Sequence, residues 1–197
     1  MLHTARTPVV FLVAITLIAG TAFAAWNLTT NEYAGYQGTI STVRTNLATW
    51  TSGANSSTIG KATITLLKKA DRRLARASAR LSVPTTWKMV SRSLSALEDG
   101  AYYLQQAARL EKRNTTFLAF VAGAGSSLYV ESNKLVVSAT TYVTANFTSK
   151  RASRKILRAG GKNARAKTKA TATRPRYHAA IRLNNKAIRI LGRAGLL

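Results

Sequence analysis

Residues 115–148 read TTFLAFVAGAGSSLYVESNKLVVSATTYVTANFT, and their conformation decides the fold class. The second half is rich in β-branched and aromatic residues, which favour strands. Ser132-Asn133-Lys134 would supply a hairpin turn after Leu128-Tyr129-Val130-Glu131. Against this, Val121, Ala124, Leu128, Leu135, Ala139, Tyr142 and Phe147 fall on one helical stripe with a polar gap at Glu131. Three helices precede the segment, so a fourth is the simplest completion of a common core. The expected fold is therefore all-α, with a hairpin over 115–148 as the alternative.

The preceding helices are read from spacing. Over 31–50, Tyr33, Tyr36, Ile40, Val43, Leu47 and Trp50 alternate by three and four, which outweighs weak formers such as Thr, Gly and Asn. A turn-rich break follows at 51–56. Residues 57–82 form an amphipathic helix with N-cap candidates at Ser56 to Thr58, and Pro84 ends it. Residues 85–112 give the strongest pattern: Trp87, Val90, Leu94, Leu97, Ala101, Leu104 and Ala108, with Thr85 or Thr86 as cap. Gly100 costs that helix about 1 kcal/mol relative to Ala.

After residue 148 the character changes. Residues 149–176 are low in bulky apolar residues and have no acid, and Gly160-Gly161 and Arg174-Pro175 read as breaks. The expectation is a short basic helix to about Ala159, a basic linker to 176, and a last helix over about 177–195 with Ile181, Ile188 and Leu191 on one side. The organisation expected is a signal peptide (1–24), a bundle of about four main helices (25–148), a basic linker (149–176) and a C-terminal basic helix (177–197).

The N-terminal expectation rests on residues 8–25, PVVFLVAITLIAGTAFAA, preceded by Arg6 and closed by Ala22-Phe23-Ala24. A basic start, an apolar run and an A-x-A site are the parts of a secretory signal, cleaved after Ala24. The alternative is a retained membrane anchor over 8–25, at the lower length limit for a bilayer span. Export places the chain in the cell envelope or outside the cell.

Charge is the second strong signal. The chain has 30 Lys and Arg against 6 Asp and Glu, a formal charge of +24 and a pI near 11.5. From Lys150 to Leu197 there are 15 bases and no acid, and from Lys61 to Arg92 nine bases stand against Asp71 alone. Like charges accumulate at a cost unless an anionic partner offsets it. The residues expected to meet such a partner are Lys68, Lys69, Arg72, Arg73 and Arg76, and in the C-terminal quarter Arg151, Arg154, Lys155, Arg158, Lys162, Arg165, Lys167, Lys169, Arg182, Lys186 and Arg189. Their role is to neutralise phosphate or carboxylate. The partner classes are anionic polymers of the envelope or exterior, an anionic membrane surface, and nucleic acid bound through its backbone. On lipid, helix 177–195 would lie with Ile181, Ile188, Leu191, Leu196 and Leu197 buried in the bilayer. Stripes on the long helices also leave room for a homo-oligomer or a structural subunit of an envelope assembly.

Catalytic chemistry has little to stand on, and the chain is expected to be no enzyme and to need no cofactor or metal. There is no cysteine, hence no disulfide or thiolate. Only two histidines occur, His3 in the signal segment and His178 in a basic stretch. Glu98 and Asp99 are adjacent and diverge on a helix. No phosphate loop, EF-hand or H-E-x-x-H is present. Four N-x-S/T sequons, at Asn27, Asn55, Asn114 and Asn146, are a weak signal in so Ser/Thr-rich a chain.

One internal similarity stands out. Residues 62–77, ATITLLKKADRRLARA, and 179–194, AAIRLNNKAIRILGRA, share A-x-I-x-L-x-x-K-A-x-R-x-L-x-R-A without gaps. It reads either as a duplicated basic helix or as convergence of common helix formers.

Overall fold

The computed structural model describes residues 25–197. The expected signal peptide lies outside the described residues, and so does the anchor read into 8–25 but for Ala25. Among the described residues no helix is long and apolar enough to cross a membrane.

The deciding segment is a single helix. We number the helices in chain order: α1 Thr30–Thr51, α2 Lys61–Ala79, α3 Trp87–Leu110, α4 Thr115–Asn146, α5 Lys150–Thr171 and α6 Tyr177–Arg193. The described residues form no strand. α4 has 32 residues, about 48 Å at 1.5 Å per residue. Ser132-Asn133-Lys134 lies inside it, so the hairpin alternative fails. Burial of Phe117, Val121, Leu128, Leu135, Ala139 and Val143 against four neighbouring helices outweighs the strand preference of the segment. Ser127, Thr140 and Thr144 donate to the carbonyls four residues back, which satisfies their hydroxyls within the helix. Glu131, expected as a gap in the stripe, is itself only 7% exposed and pairs with Lys134 at 2.7 Å.

α1 buries the expected Tyr36, Ile40, Val43, Leu47 and Trp50. It opens on a capping box, Thr29 with Glu32, that holds the first turn. α3 is capped by Thr86, which accepts from the Met89 N–H at 3.3 Å. The cap of α2 is not where the sequence suggested. Ser56–Thr58 is a 3₁₀ turn, Gly60 holds the N-cap position, and its N–H donates to Glu111 at 2.8 Å.

The main correction concerns number and continuity. Among the described residues there are six α-helices rather than about four, because α5 fills most of the stretch read as linker. Gly160-Gly161 does not stop it. Both glycines face open space, while Ala152, Ala159, Ala166 and Ala170 are buried on the opposite side. That burial outweighs the roughly 1 kcal/mol that each Gly costs. Ser149 caps the helix by accepting from the Ala152 N–H at 3.2 Å.

α4 is the axis of the molecule and packs on α1, α3, α5 and α6. α6 is wedged among α3, α4 and α5, and α2 rides outside on α1 and α3. One apolar core includes residues of all six helices. Ile181, Ile188 and Leu191 of α6 are fully buried in it, and Leu196 nearly so. That face of α6 is therefore turned to the bundle and not available to lipid.

Candidate polyanion-binding groove

α5 and α6 form an antiparallel hairpin joined by residues 172–176. The Arg176 N–H donates to the Lys169 carbonyl at 2.9 Å and closes its turn. Alanines recur every seven residues on both arms: 152, 159 and 166 on α5, and 180 and 187 on α6 with 194 at its C-cap. Side chains this small let two helices approach closely, and Ala166 and Ala180 share a buried cluster. A polar layer crosses the hairpin at its middle. Asn163 donates to Asn133 at 2.7 Å and to Asn184 at 3.3 Å, and Asn184 donates to Ser132 at 2.9 Å.

Beside this seam runs a groove of about 480 Å³. Arg151, Lys155, Arg158 and Lys162 line it from α5, and Lys186, Arg189 and Arg193 from α6. The α5 residues follow the four-three-four spacing of one helical face, and the α6 residues continue it across the seam. Ile190 and Ala194 are also in its wall, and no carboxylate is. Arg189 is held in place by α3, donating to Ser91 at 2.8 Å and to Ser95 at 3.2 Å. Like charges gathered around one groove repel one another, and the repulsion is relieved when phosphate or carboxylate enters between them.

The acids explain why the groove stays uncompensated. All six have partners outside it, and Glu98 and Asp99 border Lys186 and Arg189 only on their α3 side. Asp71 pairs with Arg44 at 2.7 Å, Asp99 with Arg73 at 3.0 Å, Glu98 with Arg182 at 2.6 Å and Glu131 with Lys134 at 2.7 Å. Glu111 accepts from the Gly60 N–H and the Thr63 hydroxyl, and Glu32 caps α1.

The residues expected from sequence are thus sorted into groups. Arg151, Lys155, Arg158, Lys162, Lys186 and Arg189 come together in the groove. Arg154, Arg165, Lys167 and Lys169 are exposed on α5 outside the groove. Arg73 and Arg182 are tied to acids, and Lys69 lies over the Tyr103 ring at 5.9 Å. Lys68 and Arg72 line a shallow site between α1 and α2 together with Arg44 and Asp71. Arg76 is exposed on α2, which does not pack on the α5–α6 hairpin. Arg193 completes the groove and was not among the expected residues. Its signal was the spacing of four from Arg189 and seven from Lys186.

His178 stands apart from this groove. Burial, together with the guanidinium groups of Arg182, Arg109 and Arg176, holds its imidazole below the ordinary histidine pKa. Tyr102 packs on its ring edge at 5.6 Å. Among the described residues no three His, Asp or Glu side chains gather in a way that would hold a metal ion. No family model matches the chain, and neither does any curated protein or any solved structure.

Proposed function

We propose that this chain is a non-enzymatic binder of anionic polymers, acting in the cell envelope or outside the cell, and that the α5–α6 groove is its principal contact. The observation that carries the reading is the lining of that groove: seven cationic side chains from two helices and no carboxylate. Each bound phosphate or carboxylate displaces counterions, so affinity falls steeply with salt. The reading favours a polymer over a small anion because the exposed Arg154, Arg165, Lys167 and Lys169 extend the positive surface along α5.

The test is a titration with sodium polyphosphate over a range of salt concentrations. Lys155→Gln, Arg158→Gln and Lys186→Gln in one chain should weaken binding about a hundredfold and reduce the salt slope by about 2–3. Unchanged affinity and slope in that variant would overturn the reading. Duplex DNA and an equally charged sulfated glycan form the second arm. A marked preference for DNA would move the partner to nucleic acid, bound without base readout, since Tyr177 is the sole aromatic residue after Lys150. Export is tested by the intact mass of the protein from its own cells, where a mass matching residues 25–197 is expected.

A further inference from the structure

A second concavity has the opposite character. It opens between the C-terminal half of α3, the N-terminal third of α4 and the turn before α6, and encloses about 650 Å³. Sites that hold small organic ligands fall in this range. Its walls are apolar, with Leu104 on one side, Leu118 and Val121 on another, and the Tyr177 ring closing the third. Gly125 makes that closure feasible. A Cβ there would sit 2.4 Å from Cδ2 of Tyr177, so only glycine lets the ring lie against α4.

The rim carries Arg109, Lys112 and Arg174, all exposed, and no acid lines the cleft. Gln105, on the same wall, has a buried side-chain oxygen with no hydrogen-bond partner. A buried amide left unpaired gains from a polar ligand atom, and its oxygen and nitrogen exchange by a flip. An apolar cavity alone would take any oily molecule. Three cations at its mouth select one with a negative end.

We propose that this cleft binds a single-chain amphiphile with an anionic head, the alkyl chain lying among Leu104, Leu118, Val121 and Tyr177 and the head meeting Arg109, Lys112 and Arg174. The site is separate from the α5–α6 groove and does not depend on it. A fatty carboxylate and a monoalkyl phosphate share the required chemistry.

The experiment is calorimetric titration of the 197-residue chain with dodecanoate, monododecyl phosphate and dodecyl maltoside, each below its micelle concentration. One anion per chain is expected to bind saturably, with the maltoside at least tenfold weaker. Shortening the chain by two methylenes should weaken binding by roughly fifteenfold, since each buried methylene is worth about fourfold. Ala122→Trp, at an exposed position on the wall, should fill the cleft and reduce affinity at least tenfold. Arg109→Gln, Lys112→Gln and Arg174→Gln together should erase the preference for an anionic head, and Lys155→Gln with Arg158→Gln should change nothing. Preference between the two anions then tells a free fatty acid from a lysophospholipid-like source. The proposal is overturned if neither anion binds, if Ala122→Trp binds as well as the parent, or if the groove variant loses binding instead. Should Ala122→Trp fail to fold, head-group preference that survives the triple rim variant overturns it equally.

Discussion

α2 and α6 carry one sequence pattern in two different surroundings. Over 62–77 and 179–194 most matched residues behave alike where the pattern is shared, the exceptions being Ala62 and Ala179, Ile64 and Ile181, and Ala77 and Ala194. Lys69 and Lys186, Arg72 and Arg189, and Arg76 and Arg193 are exposed, while Ala70 and Ala187, and Leu74 and Leu191, are fully buried. The larger differences lie between the shared positions. Where α2 buries Leu67, α6 buries Asn184, and where α2 shows Asp71, α6 buries Ile188. α2 is an outer helix with its own acid and a second, Asp99, across on α3. α6 is central, and its neighbour across the seam is the acid-free α5. The same basic pattern therefore stands beside the pairs Arg44–Asp71 and Arg73–Asp99 at α2, and at α6, where Arg182 is tied to Glu98, it lines an open cationic groove. A charge run becomes a binding site through what packs beside it.

The largest effect expected from this comparison is on stability. Leu67→Ala should cost about 3 kcal/mol, the loss of a fully buried leucine, read as a shift of the urea midpoint. Asn184→Ala, at the matching position, should cost about 1–2 kcal/mol. Its partners keep other bonds, since Ser132 still donates to the Tyr129 carbonyl and Asn163 to Asn133. Equal losses would mean that the two positions do equivalent work and that the polar layer of α6 is not the weaker contact.

Next in size is the contrast in anion affinity. The groove variant described above should lose about a hundredfold for polyphosphate, near 2.7 kcal/mol, whereas Lys68→Gln, Arg72→Gln and Arg76→Gln on α2 should lose about threefold or less. Matching losses would erase the distinction between the helices and spread the site over the whole basic surface. A smaller effect is expected from the ion pairs. Arg73→Gln and Arg182→Gln should each change stability by about 1 kcal/mol or less, because both arginines are partly exposed. The Arg182 change should be the larger, since Glu98 is more enclosed than Asp99.

Much of this was legible in the sequence, for identifiable reasons. Bulky apolar residues at three-four spacing announced α1, α3 and α4, because their burial dominates the energy of those helices. α5 was half missed because its buried face is alanine, which carries little hydrophobic signal, and because Gly160-Gly161 looks like a break when the packing opposite is unseen. The heptad recurrence of Ala152, Ala159 and Ala166 was the available clue. For the site, composition located the cations but not their pairing. Arg73 and Arg182 read like Arg158 and Lys186 in one dimension, and only the fold brings Asp99 and Glu98 to the first pair. Gln105 and Tyr177 gave no sign of a cleft, since its walls join the consecutive helices α3 and α4 to the distant Arg174, Pro175 and Tyr177.

The pattern alignment ends at one more contrast, which sets the smallest effect. His178, in the first turn of α6, stands where α2 has the exposed Lys61. It is half-buried, faces the Tyr102 ring, and lies in the field of Arg109, Arg176 and Arg182. Its pKa in the folded chain is below the ordinary value, so the unfolded chain binds the proton more readily. The resulting stability is complete above about pH 6.5, the value of a free histidine, and is lost as pH falls through that value toward the folded pKa. The urea midpoint should accordingly drop as pH falls below about 6.5, and His178→Gln should flatten that part of the curve. Lys61→Gln, at the matching position on α2, should leave that drop in place. An unchanged slope in His178→Gln would mean that the imidazole is as well solvated as Lys61. The neutral ring would then no longer explain how the start of α6 tolerates three guanidinium groups around it.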